Sequence, residues 1–270
     1  MNTKPYFNKV CLLACILLFS SIVSSCKKKE TTATPNAKDD MASSIAYFVK
    51  QGFKAENVVF KDGKFILDHD IIISAEEVAT RIKNESPAGS PQTEHWRHNY
   101  IVKNPYHKNI RLYIEPSVPL EWKTAVQGAT SNWNNMVSND GSIELGMSTT
   151  DFAFASDTRV FMGYENANWI ARAYLPTSNG RAGVSIEINS KYNGLISSEK
   201  LFAITHELGH TIGLNHTDQN VGIFIQATNP WQTTPPLVDP NSVMNSVVLP
   251  WTAFTTGDVQ AMKILYPRIL

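Results

Sequence analysis

Apolar residues recur at steps of three and four along several stretches of the chain, and each such stretch predicts a helix with one buried face. Ile45, Phe48 and Val49 mark a helix within Met41 to Phe53. Trp122, Val126, Ala129, Trp133 and Val137 lay a broad apolar stripe on a helix that starts near Leu120 and backs a sheet. Leu201, Ile204, Leu208 and Ile212 do the same from Ser198 to about Leu214, with Ser197 or Ser198 as the cap. A last helix runs from about Thr255 to Tyr266, where Pro267 stops it. "SAEE" at Ser74 to Glu77 fits a capping box opening a short helix to about Ile82.

Strand patterns fill the intervals. "NVVF" and "KFILD" flank Asp62-Gly63 as a hairpin, Tyr100 to Val102 and Ile110 to Ile114 read as extended, and "SIELGM", "RVFMGY" and "GVSIEINS" follow with "SNDG" and "SNG" as turns. Strands with helices at chosen points predict an α+β fold. The polar run from Asn84 to Gln92 is the expected boundary between a small N-terminal α/β unit, residues 41–90, and a larger domain, residues 91–270.

The first residues read differently. Lys4 and Lys9 precede the apolar run Val10 to Val23, which is too short for a membrane span and fits an export signal over residues 1–25. Val23, Ser24, Ser25 and Cys26 resemble a bacterial lipobox, which implies lipidation at Cys26. Each acyl methylene buried in a membrane contributes about 0.8 kcal/mol, so the expectation is an exported protein, lipid-anchored at the bacterial outer membrane or cell surface. Residues 26–40, polar and aperiodic, are expected to be a flexible tether.

Composition narrows the chemistry. The chain has 24 Lys+Arg against 24 Asp+Glu, so no net field favours nucleic acid, and nothing in the pattern calls for more than a monomer. Cys11 and Cys15 lie inside the signal, so the chain from Cys26 onward has no second thiol for a disulfide, and no cysteine for a nucleophile or a Cys-rich metal site.

Three of the seven histidines fall within the eleven residues of "HELGHTIGLNH". On a helix His206 and His210, four apart, project from one face and converge on one point. Gly213 can take the left-handed conformation that ends the helix and turns the chain back, returning His216 as a third imidazole. Three ligands and one open position suit a single catalytic Zn2+. Glu207, next to the first histidine but off the ligand stripe, can serve as general base for a metal-activated water attacking a peptide carbonyl.

"HELGHTIGLNH" resembles the signature of metzincin zinc endopeptidases, and the chain is similar, from about Tyr100 to its end, to bacterial dual-action HEIGH metallopeptidases. Leu208 stands where that name has isoleucine. The resemblance implies a zincin domain with a twisted mixed sheet, a backing helix, an active-site helix and a C-terminal helix, acting on protein or peptide substrates. It implies a Met-turn at Met244 in "NSVMNS", and Ser246 replaces the tyrosine that some metzincins place two residues later. It implies a substrate-binding edge strand, for which Gly183, Val184, Ser185 and Ile186 are the candidates. Metzincin zymogens block their zinc with a cysteine or an aspartate, so if residues 41–90 are a pro-segment, Asp62, Asp68 and Asp70 are the available blockers; a plain accessory subdomain is the simpler expectation.

Other residues receive quieter readings. His95 and His98 are expected to be surface or hydrogen-bonded strand residues, and Asp151, Asp157 and Asp218, the carboxylates a structural Ca2+ would use, are expected to be solvated. Two rival functions stand beside the endopeptidase. A gluzincin would take its third ligand from a glutamate on a later helix, and a non-catalytic adhesin or binding lipoprotein would keep its metal for structure alone.

Overall fold

Eight strands form one mixed sheet in the computed structural model, which describes residues 37–84, 95–219, 221–225 and 239–269. In chain order they are β1 (Val58–Lys61), β2 (Lys64–Leu67), β3 (Ile71–Ser74), β5 (Ile110–Ile114), β6 (Met147–Thr150), β7 (Thr158–Gly163), β8 (Ala171–Tyr174) and β9 (Ser185–Asn189). Their spatial order is β1-β2-β3-β8-β9-β7-β5-β6. Two further strands, β4 (His95–Arg97) and β10 (Ile223–Ile225), pair with each other. The export signal, Cys26 and residues 26–36 of the expected tether lie outside the described residues.

Five helices complete the described chain: α1 (Ala37–Lys50), α2 (Ala75–Lys83), α3 (Leu120–Asp140), α4 (Ser197–Ile212) and α5 (Thr256–Leu265). Trp122 and Trp133 of α3 are wholly buried, and Trp133 Nε1–H donates to the Thr205 carbonyl at 3.1 Å, fixing α3 against α4. α1 begins inside the stretch expected to be tether. α4 is capped at Ile196, one residue before the serines expected to do so, because the Glu199 carboxylate accepts the Ile196 N–H at 3.2 Å. At α2 the expected cap forms, with Ser74 Oγ accepting the Glu77 N–H at 3.1 Å.

The N-terminal residues are built into the same sheet as the rest. β1, β2 and β3 form an antiparallel meander, and β3 then pairs in parallel with β8: the Ala173 N–H donates to the Asp70 carbonyl at 2.8 Å and the Leu175 N–H to the Ile72 carbonyl at 3.0 Å. Phe48, Phe53, Phe65, Leu67, Ile71, Ile73 and Val78 pack into a small core that also includes Leu175 and Val221, and Lys38–Leu270 forms one compact unit. α2 is docked by charge as well. Arg81, 1% exposed, pairs with Glu77 at 2.8 Å, donates to His98 Nδ1 at 2.8 Å and to the Pro176 carbonyl, and lies over the Tyr100 ring. Glu77 in turn accepts the Ser178 N–H at 2.7 Å and the Ser178 hydroxyl at 3.1 Å.

Several strands differ from the sequence pattern for identifiable reasons. β3 buries Ile71, Ile72 and Ile73 in succession, so it carries no alternation. β6 starts at Met147, after the expected "SIELGM" stretch has been spent on the Gly141 turn and an isolated bridge from Ile143 to Pro267; Asn134 then fixes Met147 through both its N–H and its carbonyl. Tyr100 to Val102 is not a strand; it crosses the end of α4.

Candidate metal centre

α4 turns its apolar residues Ile204, Leu208 and Ile212 into the core and presents His206 and His210 on another face, their ring centroids 4.5 Å apart. Gly213 has φ +107° and its N–H closes on the carbonyls of Gly209 and His210, so the helix ends there as the sequence predicts. A Cβ at this position would stand 2.7 Å from the Tyr100 carbonyl oxygen. Beyond it the Asn215 N–H donates to the Trp96 carbonyl at 2.8 Å and the Thr217 N–H to the Met244 carbonyl at 2.9 Å, and these two bonds aim His216 back at α4. His216 Nε2 lies 3.2 Å from His210 Nε2 and 3.3 Å from His206 Nε2.

The outer nitrogens fix the protons. His206 Nδ1 is 2.7 Å from the Val243 carbonyl and His210 Nδ1 is 2.8 Å from the Leu214 carbonyl. A carbonyl only accepts, so each Nδ1 carries the hydrogen and each Nε2 offers a lone pair. Those lone pairs converge in a buried space. Burial, followed by repulsion from His206 and His216, pushes His210 well below the ordinary histidine pKa, so a proton is a poor occupant. A divalent cation fits better: donors about 2.0–2.1 Å from a tetrahedral zinc stand about 3.3 Å apart, close to the separations found.

A fourth group closes the cluster. Asp70 Oδ2 is 3.1 Å from His216 Nε2 and 3.7 Å from His206 Nε2, and one ligand atom from each of the four residues lies within 4.8 Å of all the others. Burial alone would raise the Asp70 carboxyl, but the imidazoles of His216, His206 and His210 hold it below the usual carboxylate range. Its other oxygen, Oδ1, has no hydrogen-bond partner. Asp70 reaches this place through a tight turn in which Asp68 and His69 both have positive φ, 46° and 81°. Such conformations cost about 1–3 kcal/mol each in residues other than glycine. Asn57 stabilises the turn by donating from Nδ2 to Asp68 at 2.7 Å.

Glu207 is buried beside this cluster, with Oε2 unpartnered. Burial, and then the Asp70 carboxylate, push its carboxyl well above the ordinary range. Both acids border a cleft of about 310 Å3, with Trp169, Ala171 and Asn245 among its other walls. Met244 is wholly buried beneath α4, where Gly209 leaves room: a Cβ on that glycine would lie 2.3 Å from Met244 Sδ. Ser246 binds the Asp218 carboxylate with its hydroxyl and its N–H.

Several expectations require correction. Gly183, Val184, Ser185 and Ile186 belong to or precede β9, which is paired with β7 on one side and β8 on the other, so it has no free edge for a peptide. The rim strand beside the cleft is β8, whose outer edge β3 covers. For His95 and His98 the hydrogen-bonded reading holds and the surface one does not: His95 lies in β4 against Asp258, and His98, just beyond that strand, lies against Arg81. Asp157 pairs with Arg111 and Arg181, and the one metal-capable group among the described residues is that of Asp70 and the three histidines. Asp70 was one of three candidates on the N-terminal segment, and only the fold distinguishes it. Asp62 sits in the β1–β2 turn and Asp68 bonds Asn57. Asp258, which also reaches the site through its neighbours, has no sequence signal beyond its place as the third residue of α5.

Residues 66–266 match a family model described as dual-action HEIGH metallo-peptidase. Two solved structures of myroilysin align with the chain. One does so at TM-score 0.39 and 12% identity over 62% of this chain and 83% of that one, the other at 0.39 and 14% over 68% and 89%. No curated protein matches.

Proposed function

The chain belongs to the dual-action HEIGH metallo-peptidase family, and on that premise we propose that it is a zinc endopeptidase of metzincin type, here in a latent state. One observation carries the reading: three imidazole Nε2 atoms, two of them fixed as lone-pair donors by carbonyls behind them, meet within 3.2 to 3.3 Å next to a buried, unpartnered glutamate oxygen. His206, His210 and His216 would hold the ion. Zinc so bound supplies a Lewis acid for the scissile carbonyl and lowers the pKa of a water. Glu207 takes the proton of the attacking water and delivers it to the leaving nitrogen, a role that suits a carboxyl whose pKa is raised by burial. His216 from the loop after Gly213 supports the metzincin type over a gluzincin, and α5 contains no glutamate.

Asp70 occupies the position a water would need, and β3 covers the β8 edge along which a peptide could add as a strand. Residues 41–84 therefore act as a pro-segment that blocks the ion and the cleft together. Upstream, the lipobox-like stretch ending in Cys26 supports a lipid-anchored, exported protein; the mass of the N-terminal peptide from a bacterial membrane fraction tests that part separately.

A second reading is favoured by the same aspartate. Four protein ligands with no open position are the pattern of a structural metal site, as in a non-catalytic binding lipoprotein. Peptide-library cleavage by the full chain and by Asp70→Ala, each with and without chelator and with metal content measured, separates the two. Chelator-sensitive cleavage that rises in the variant supports the latent peptidase. Zinc in both proteins with cleavage by neither establishes the structural role.

A further inference from the structure

Behind the histidines lies a second buried cluster that touches no ligand directly. Asp258, 2% exposed, accepts four hydrogen bonds. Its Oδ1 receives the Ser242 hydroxyl at 2.6 Å and His95 Nε2 at 3.1 Å; its Oδ2 receives the Thr255 N–H at 2.9 Å and the Val243 N–H at 3.2 Å. Ser242 Oγ also accepts the Met244 N–H at 3.0 Å. Three consecutive residues, Ser242 to Met244, are thus tied through one carboxylate to α5 and to β4. The middle one carries the carbonyl that accepts His206 Nδ1–H at 2.7 Å.

We propose that Asp258, supported by His95 and Ser242, is a positioning residue for His206: it fixes the Val243 carbonyl that sets the tautomer and ring angle of that ligand, and so tunes the affinity of the site for its ion. The proposal rests on the reading of His206 as a zinc ligand. A buried carboxylate is suited to the task because it satisfies four donors at once, two on each oxygen, which a neutral side chain of the same size cannot do without turning a donor toward them. A partner one bond behind a metal-ligating histidine contributes about 10- to 100-fold in metal affinity when removed; here that partner is the Val243 carbonyl, and Asp258 acts one step further back by holding it. A cap that merely stabilised α5 would change thermal stability without changing the Co2+ spectrum or the zinc affinity.

The test uses the full chain with Zn2+ or Co2+ as probe. For Asp258→Ala, the zinc dissociation constant from chelator competition is expected to rise about 10-fold, the low end of the range for a direct partner, with a changed visible spectrum of the Co2+ form. Far-ultraviolet circular dichroism checks that the apo protein is folded. Should Asp258→Ala not fold, Ser242→Ala removes one bond to Asp258 and the bond to Met244, and a smaller loss of affinity, about threefold, is expected. Asp258→Asn, which keeps the shape, should recover part of the affinity. A folded variant with the parent's zinc affinity and Co2+ spectrum, differing only in thermal stability, overturns the proposal. If the parent itself takes up no zinc, the zinc reading fails first, an outcome seen before any variant is made.

Discussion

Two regions supply the four groups of the metal centre, and they are built in opposite ways. The histidines come from one helix and the turn that ends it, within eleven residues. Asp70 comes from a hairpin 146 positions before His216 and arrives there through strained backbone and a strand laid on the far edge of β8. The helix region is local in sequence, although the aim of His216 and the ring of His206 also need bonds from outside it, to Trp96 and Met244 and to the Val243 carbonyl. The hairpin region depends on long-range pairing with β8. On the latent-peptidase reading, a permanent site and a removable cover would be the functional counterparts of that contrast.

Variants can break or sharpen the comparison. The largest effect is expected at Glu207→Gln, which keeps the shape of the helix region but removes its base: peptide cleavage by the opened enzyme falls about 10²- to 10⁴-fold while zinc uptake is retained. Equal cleavage rates would remove Glu207 from the chemistry. Gly213→Ala forces a Cβ at φ +107° against the Tyr100 carbonyl, and a loss of about 2 kcal/mol is expected in denaturant unfolding. An unchanged midpoint would mean that the helix end does not need its glycine. In the hairpin region, Asp70→Ala should raise basal cleavage by the full chain about tenfold, with β3 still in place, since a 1.4 kcal/mol bias is enough to do so. A fall instead, together with loss of metal, would make Asp70 a structural ligand. The smallest effect is expected at Ser178→Ala, which removes one hydrogen bond from the Glu77 carboxylate that docks α2. About 1 kcal/mol lost there corresponds to roughly a fivefold rise in the open fraction, read as basal cleavage rate. No change would place the docking energy elsewhere in the Arg81 cluster.

Legibility followed the same divide. Spacing alone gives His206, His210 and His216 their common point, Gly213 its turn and α3 its buried stripe, because each is a relation among residues a few positions apart. The motif resemblance adds Met244. Asp70 was indistinguishable from Asp62 and Asp68, since what singles it out is the pairing of Ile71 and Ile72 with Ala173 and Tyr174 across the fold. The expectation of an edge strand fell on β9 for a related reason: alternation along Val184 to Asn189 reveals a strand but not its neighbours, and β9 is paired on both sides. The expected two-part division likewise rests on a local change in composition, to which sheet pairing is blind.

β3 does one more thing by lying along β8. Without it the sheet would finish in a bare row of amide and carbonyl groups, a surface onto which another molecule's strand can zip. A shortened chain starting at His95 would expose that row from the moment it folds, and self-association is the consequence. If the leading segment is the latency device proposed above, the strand that would shield its surroundings from the enzyme would also shield the newly made chain from its own copies.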